Sequence, residues 1–178
     1  MYGNIVLAST KSGFIPSAIK WFTGSQFSHS FITIPDILNT PMGVEAGGNG
    51  VDCVRFDTNY QNNTDQGYEV WSIKINPETA DTAIISMLND LEISYGYFQY
   101  FWFIWRKLNS IFGRDIKSQN NWINKGMICS QLCVAYLKVR GLTGIFEGYG
   151  EGSIEPQDLQ NIFKANPDIF EKVESVRL

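Results

Sequence analysis

One histidine, His29, and three cysteines, Cys53, Cys129 and Cys133, are all that this 178-residue chain holds of the side chains that carry most metal and nucleophile chemistry. The shortage excludes two frequent readings. Three thiols do not make the paired framework of a small secreted disulfide protein. With no Cys-x-x-Cys pair and a single imidazole, the ligand spacings of a tetrahedral zinc site are missing, and no metal or organic cofactor is expected. Basic residues are also short: 14 Lys and Arg stand against 18 Asp and Glu, for a net charge of −4 and a pI near 5.0. No basic stripe is present to track phosphates, so nucleic acid is not an expected partner. Long apolar runs are absent as well. The greasiest stretch, YGYFQYFWFIW from Tyr95 to Trp105, is interrupted by Gln99 and falls far short of the roughly 20 residues a membrane helix needs. No transmembrane segment is therefore expected. The first residues, MYGNIVLASTKSGFIP, lack a basic segment leading into a long apolar one, so no signal peptide is read there.

What is present suits a single globular domain over residues 1–178: 44% of the residues are hydrophobic and only 18% charged, enough apolar material for one core. NIVLAS near the start reads as a short buried strand. Pro16 to about Thr23 reads as a short helix that Gly24 ends. SHSFITI is rich in β-branched and aromatic residues and is expected to be a strand stopped by Pro35. GVEAGG and GVDCVRF read as two strands joined by a turn at Gly47-Gly48-Asn49-Gly50, and YEVWSIKI as another. The period then changes. Asn76 can cap a helix whose first position is Pro77, with Ile84, Leu88 and Leu91 at helical spacing. Cys129, Leu132, Cys133, Tyr136 and Leu137 share one apolar helical face, stopped by Gly141. A last helical turn after Pro156 and a strand over Phe170 to Val176 complete an α+β reading, strands mainly first and helices mainly second.

A cysteine nucleophile needs a base, and the base needs an orienting partner. Any such dyad here must contain His29, mounted at the start of a strand between Ser28 and Ser30. Cys129 opens its helix, where unpaired amides and the helix dipole favour a thiolate. Cys133 lies one turn deeper, where burial raises a thiol's pKa, and Cys53 alternates within a strand as a small core residue. If one cysteine works, it is Cys129. For the third member, Glu45 lies on the strand after that of His29, with Asp36 and Asp52 as competitors by spacing.

The order FSHSFI, then VEA with GV five residues on, then ICSQLCVAYL resembles the circularly permuted branch of the NlpC-type papain-like hydrolases, in which the histidine strand precedes the cysteine helix. GNIVLAS, ISYGYFQYF and SIEPQDLQN are similar to that family's opening strand, tyrosine-rich helix and closing Pro-x-Asp-Leu segment, so the likeness spans about residues 3 to 162. The resemblance implies a permuted papain-like fold, a small antiparallel sheet packed against helices. It implies Cys129 as nucleophile, His29 as general base and Glu45 as orienting group, with Tyr95 and Tyr97 candidates for lining the substrate cleft. The family often has an acid two residues after the cysteine, where this chain has Gln131.

The resemblance points to amide hydrolysis in bacterial cell-wall peptides. A lipid amide or ester is the alternative substrate, the aromatic stretch from Tyr97 to Trp105 then lining an acyl groove. A non-catalytic module of a larger assembly is the reading from another class. A bacteriophage particle protein would reach the wall without an export signal; a cytoplasmic location is the other expectation.

Overall fold

The computed structural model describes residues 2–91, 127–149 and 154–178. Tyr95, Tyr97 and the aromatic stretch lie outside the described residues. The architecture is α+β. Six antiparallel strands form one sheet in the order β4-β3-β2-β1-β5-β6: β1 (Ile5–Thr10), β2 (His29–Ile37), β3 (Thr40–Gly47), β4 (Gly50–Arg55), β5 (Gln66–Ile73) and β6 (Phe170–Val176). Among the described residues four α-helices accompany it: α1 (Phe14–Thr23), α2 (Ala80–Leu88), α3 (Cys129–Val139) and α4 (Pro156–Ala165).

The run of apolar residues in β1 has a simple cause. The strand lies between β2 and β5 and is buried on both faces, so it has no water-facing side on which to alternate polar residues. Ile5 and Leu7 join Ile32, Val44, Ala46 and Trp71 on a first face, against Leu132, Cys133, Tyr136 and Leu137 of α3 and Leu159, Ile162 and Phe163 of α4. Val6 and Ala8 join Phe31, Phe56, Tyr60, Tyr68 and Val70 on the second face. An 11-residue helix such as α3 is marginal by itself. Burying Leu132 and Leu137 contributes about 1.5–3 kcal/mol each, so the core decides where α3, and with it Cys129, sits.

The stop of α3 follows from Gly141, whose φ of 81° suits a residue without Cβ. Its amide bonds Lys138 O at 2.9 Å and that of Leu142 bonds Leu137 O at 3.0 Å, the paired closure of a Schellman motif.

Three local expectations are corrected. Pro35 does not stop β2, which runs on to Ile37; the ladder shifts register between Ile34 and Ile37, and an irregular pairing tolerates a residue with no N–H to donate. Asn76 does not cap the following helix with its side chain. It adopts φ 50°, ψ 48°, and its Nδ2 donates to Arg140 O at 3.0 Å, while a short 3₁₀ turn, Pro77–Thr79, leads into α2. The single turn expected after Pro156 is the 10-residue helix α4, because Leu159, Ile162 and Phe163 give it a buried face.

Candidate active site

The site is built on the second face of β2 and β3. In β3 the sequence Gly43-Val44-Glu45-Ala46-Gly47 alternates: Val44 and Ala46 enter the core on the first face, while Gly43, Glu45 and Gly47 share the other. The two glycines clear space. A Cβ on Gly43 would stand 2.8 Å from the Phe31 ring, and one on Gly47 would stand 3.3 Å from Glu45 Oε1. Phe31 pairs with Glu45 across the β2–β3 ladder, and His29 lies two residues earlier on β2, opposite Ala8 of β1. His29 Nε2 and Glu45 Oε2 are 3.0 Å apart, each side chain 18% exposed. The hydroxyl of Tyr60 donates to the same Oε2 at 2.6 Å.

The third group arrives from the helical layer. Cys129 is the first residue of α3, buried, and its sulfur lies within hydrogen-bonding reach of the His29 ring. Nε2 is taken by Glu45, so Nδ1 is the nitrogen left for sulfur. Ser30 is fully buried beside them. Its hydroxyl has no oxygen or nitrogen partner among the described residues and faces the sulfurs of Cys129 and Cys133. Two bonds hold the helix mouth. The Ile128 amide donates to Gln131 Oε1 at 3.2 Å, and Ser130 Oγ donates to Ile154 O at 2.6 Å. The first is half of a capping box; isoleucine has no acceptor to return the other half. Gln131 thus caps the helix without setting a second anion beside the thiol, which a Glu or Asp there would do.

Burial penalises charge on all three groups, and their mutual contacts reverse its effect. For Cys129, burial pushes the thiol up, but the His29 imidazolium and the Ser30 contacts outweigh it, and the thiol is lowered. For His29, burial pushes the imidazole down, but the Cys129 thiolate and the Glu45 carboxylate raise it to about 10. Glu45 is raised by burial and lowered by its bonds from His29 and Tyr60, and the lowering wins. Cys133, without a cation, is pushed far above the ordinary thiol range by burial, with only the Ser30 contact opposing.

Cys129, His29 and Glu45, the residues singled out in the sequence, are therefore brought together. The competitors are not: Asp36 is exposed, and Asp52, opposite Glu45 on β4, is exposed with its Oδ1 accepting from the Cys53 amide at 2.7 Å. Cys53 is half-buried and packs against the core. Tyr60 was not picked out from the sequence: it stands in RFDTNYQNN, where no periodicity marks it. Ser30 was noted there as a neighbour of the lone histidine, without a role.

No family model matches the chain, and no curated protein matches it. Among solved structures it is similar to the crystal structure of metalloprotein YiiX from Escherichia coli O157:H7, described as DUF1105, with a TM-score of 0.52 and 18% identity over 98% of this chain and 97% of that one. At that identity the likeness speaks for the fold alone. The neighbour's description calls it a metalloprotein; among the described residues of this chain no group of three or more His, Cys, Asp and Glu side chains could hold a metal ion. Nor is any helix among them long and apolar enough to cross a membrane.

Proposed function

We propose that the protein is a cysteine hydrolase of the permuted NlpC-type papain-like kind, acting on an amide bond, with Cys129 as nucleophile, His29 as general base and acid, and Glu45 as the group that orients the imidazole. One observation carries the reading: the lone imidazole stands between a carboxylate at 3.0 Å and the sulfur at the mouth of α3. A buried thiol and a half-buried imidazole that merely filled space would not need a carboxylate held on the ring's other nitrogen.

In this reading the Cys129 thiolate attacks the carbonyl carbon. The oxygen takes up the negative charge facing the first-turn amides of α3, which have no carbonyl a turn earlier to bond. The imidazolium gives its proton to the leaving amine, and the C–N bond breaks to leave a thioester on Cys129. His29 then takes a proton from water as its oxygen attacks the thioester; the C–S bond breaks, the acid leaves, and the Cys129 thiolate and His29 imidazolium are restored. Glu45 keeps the ring turned with Nε2 toward itself and stabilises the imidazolium that stands before the first transfer and again after the second. No step runs through a metal.

For the substrate we propose a cell-wall peptide, on the strength of the motif order. The test is mass spectrometry of a purified cell-wall digest, with a fatty-acyl amide and ester tested in parallel. Products from the wall peptides that vanish with Cys129→Ala support the reading. Turnover of the acyl substrates alone transfers the same triad to a lipid. A Cys129 that alkylates with the pH dependence of an ordinary thiol, with no turnover of either, leaves a non-catalytic module.

A further inference from the structure

Glu45 Oε2 receives two hydrogen bonds, and only one comes from the proposed triad. The second, from the Tyr60 hydroxyl, is 2.6 Å long, the length of a charge-assisted bond between hydroxyl and carboxylate. The Tyr60 ring is buried and lies nearly parallel to Phe31 at 4.4 Å, and the Phe31 ring lies over Gly43 of the strand that carries Glu45. Tyr60 itself sits on a single π-helical turn, Asp57–Gln61, a rare form that recurs at functional sites. That turn is clamped from two sides. Arg55 grips Asp57 at 3.0 and 2.6 Å, and Arg177, beyond β6, donates to Gln61 O at 2.8 Å and to Tyr60 O at 3.3 Å.

We infer that Tyr60 is a positioning residue of this site: its hydroxyl pins the Glu45 carboxylate against His29, so that the imidazole keeps one orientation while protons move. The inference deepens the proposed triad and rests on it. Gly47 leaves the carboxylate room to swing, and its partial exposure offers water as a competing partner; the phenol opposes both. Among the described residues no other group substitutes for it. Facing Glu45 are His29 from β2, with Cys129 behind it, and Asp52 from β4, whose carboxylate accepts from the Cys53 amide; Arg55 and Asp57 are bonded to each other. Among the described residues, loss of the phenol therefore leaves His29, with solvent, as the carboxylate's donors.

His29 is the only histidine in the chain, so its ring signals in NMR report the site without any substrate. The experiment follows those signals from pH 3 to 8 in the wild type, Tyr60→Phe, Glu45→Gln and Arg177→Ala, and measures Cys129 alkylation by iodoacetamide on the same samples. In the wild type the ring senses an acid-side inflection as Glu45 protonates, which Glu45→Gln abolishes. In Tyr60→Phe, which keeps the packed ring, that inflection moves up by about one pH unit, because a carboxylate that loses a donor is easier to protonate. Alkylation at pH 5 falls several-fold and at pH 8 is unchanged. Arg177→Ala, which loosens the turn from outside, shifts the inflection the same way by less. An inflection unmoved in both variants, with Glu45→Gln still abolishing it, overturns the role of Tyr60 and leaves the triad standing. A wild type with no such inflection and an ordinary thiol profile overturns the triad, and the inference with it.

Discussion

Cys129 and Cys133 are chemically the same side chain, one helical turn apart, and their surroundings make them opposites. The first meets a cation and the unpaired amides of a helix start; the second is enclosed by apolar groups. Cys129→Ala is expected to abolish hydrolysis and fast alkylation with the fold intact. Cys133→Ala should retain both and lower stability by about 1 kcal/mol, read as a shift in the urea midpoint. Without its cation, Cys129 in His29→Ala should need a pH near the ordinary thiol value of about 8.5 to alkylate quickly, while the wild type reacts well below it. Glu45 adds a stability term. Its folded pKa is lowered, so its contribution is present above the unfolded carboxyl value of about 4.3 and is lost as pH falls through the folded one. Urea midpoints between pH 6 and 3 should therefore fall more steeply in the wild type than in Glu45→Gln, by a difference on the order of 1 kcal/mol. The choice of Cys129 was legible because a helix start has a sequence signature. Glu45 over Asp52 was put forward by the motif order alone, since both sit on strands beside the right turn and project to the same face; strand order separates them, β3 lying next to the His29 strand and β4 one strand further out.

At the scale of elements, β3 and α3 each carry the site at one point and a glycine device at another. Gly47→Ala needs no backbone rearrangement, as Gly47 has no positive φ, but its methyl would press on Glu45 Oε1. Alkylation of Cys129 near pH 6 should slow several-fold, with a urea midpoint close to that of the wild type. Gly141→Ala does the reverse. It forces a Cβ into the left-handed φ of 81° at the far end of α3, costs about 1–2 kcal/mol, and leaves the alkylation profile unchanged. Elements with strong periodicity were readable in advance, α3 most clearly, with its apolar face and its stop. The extension of β2 past Pro35 and the full length of α4 were not. The first depends on a register shift that only the paired strand creates, and the second on a buried face recognisable only against the sheet it covers.

Across the whole molecule, one carboxylate joins layers that the local sequence keeps apart. Glu69, buried on β5, accepts from Trp71 Nε1 at 3.0 Å, from Gln160 Nε2 of α4 at 2.9 Å and from Lys172 Nζ of β6 at 3.2 Å. Glu69→Ala would strand a buried amide and an indole N–H and should cost about 2–3 kcal/mol in the urea midpoint, while Cys129, on another part of the fold, keeps its reactivity. Arg140 plays a comparable part elsewhere: buried, it donates to Ile75 O at 2.6 Å and Asn76 O at 2.9 Å, tying the end of α3 to the connection between β5 and α2. The amino-acid order alone determined the kinds of element, the α+β class, which thiol stands at a helix mouth, and that any dyad must use His29. Periodicity, turn residues and caps are local properties, and local properties are written in the chain. Only the tertiary structure decided that His29 meets a sulfur a hundred positions later, that Glu45 rather than Asp36 or Asp52 faces the ring, and that Tyr60 shares its carboxylate oxygen. Those contacts depend on strand order, on which face a side chain takes and on an irregular π turn, and none of these leaves a repeating pattern in sequence.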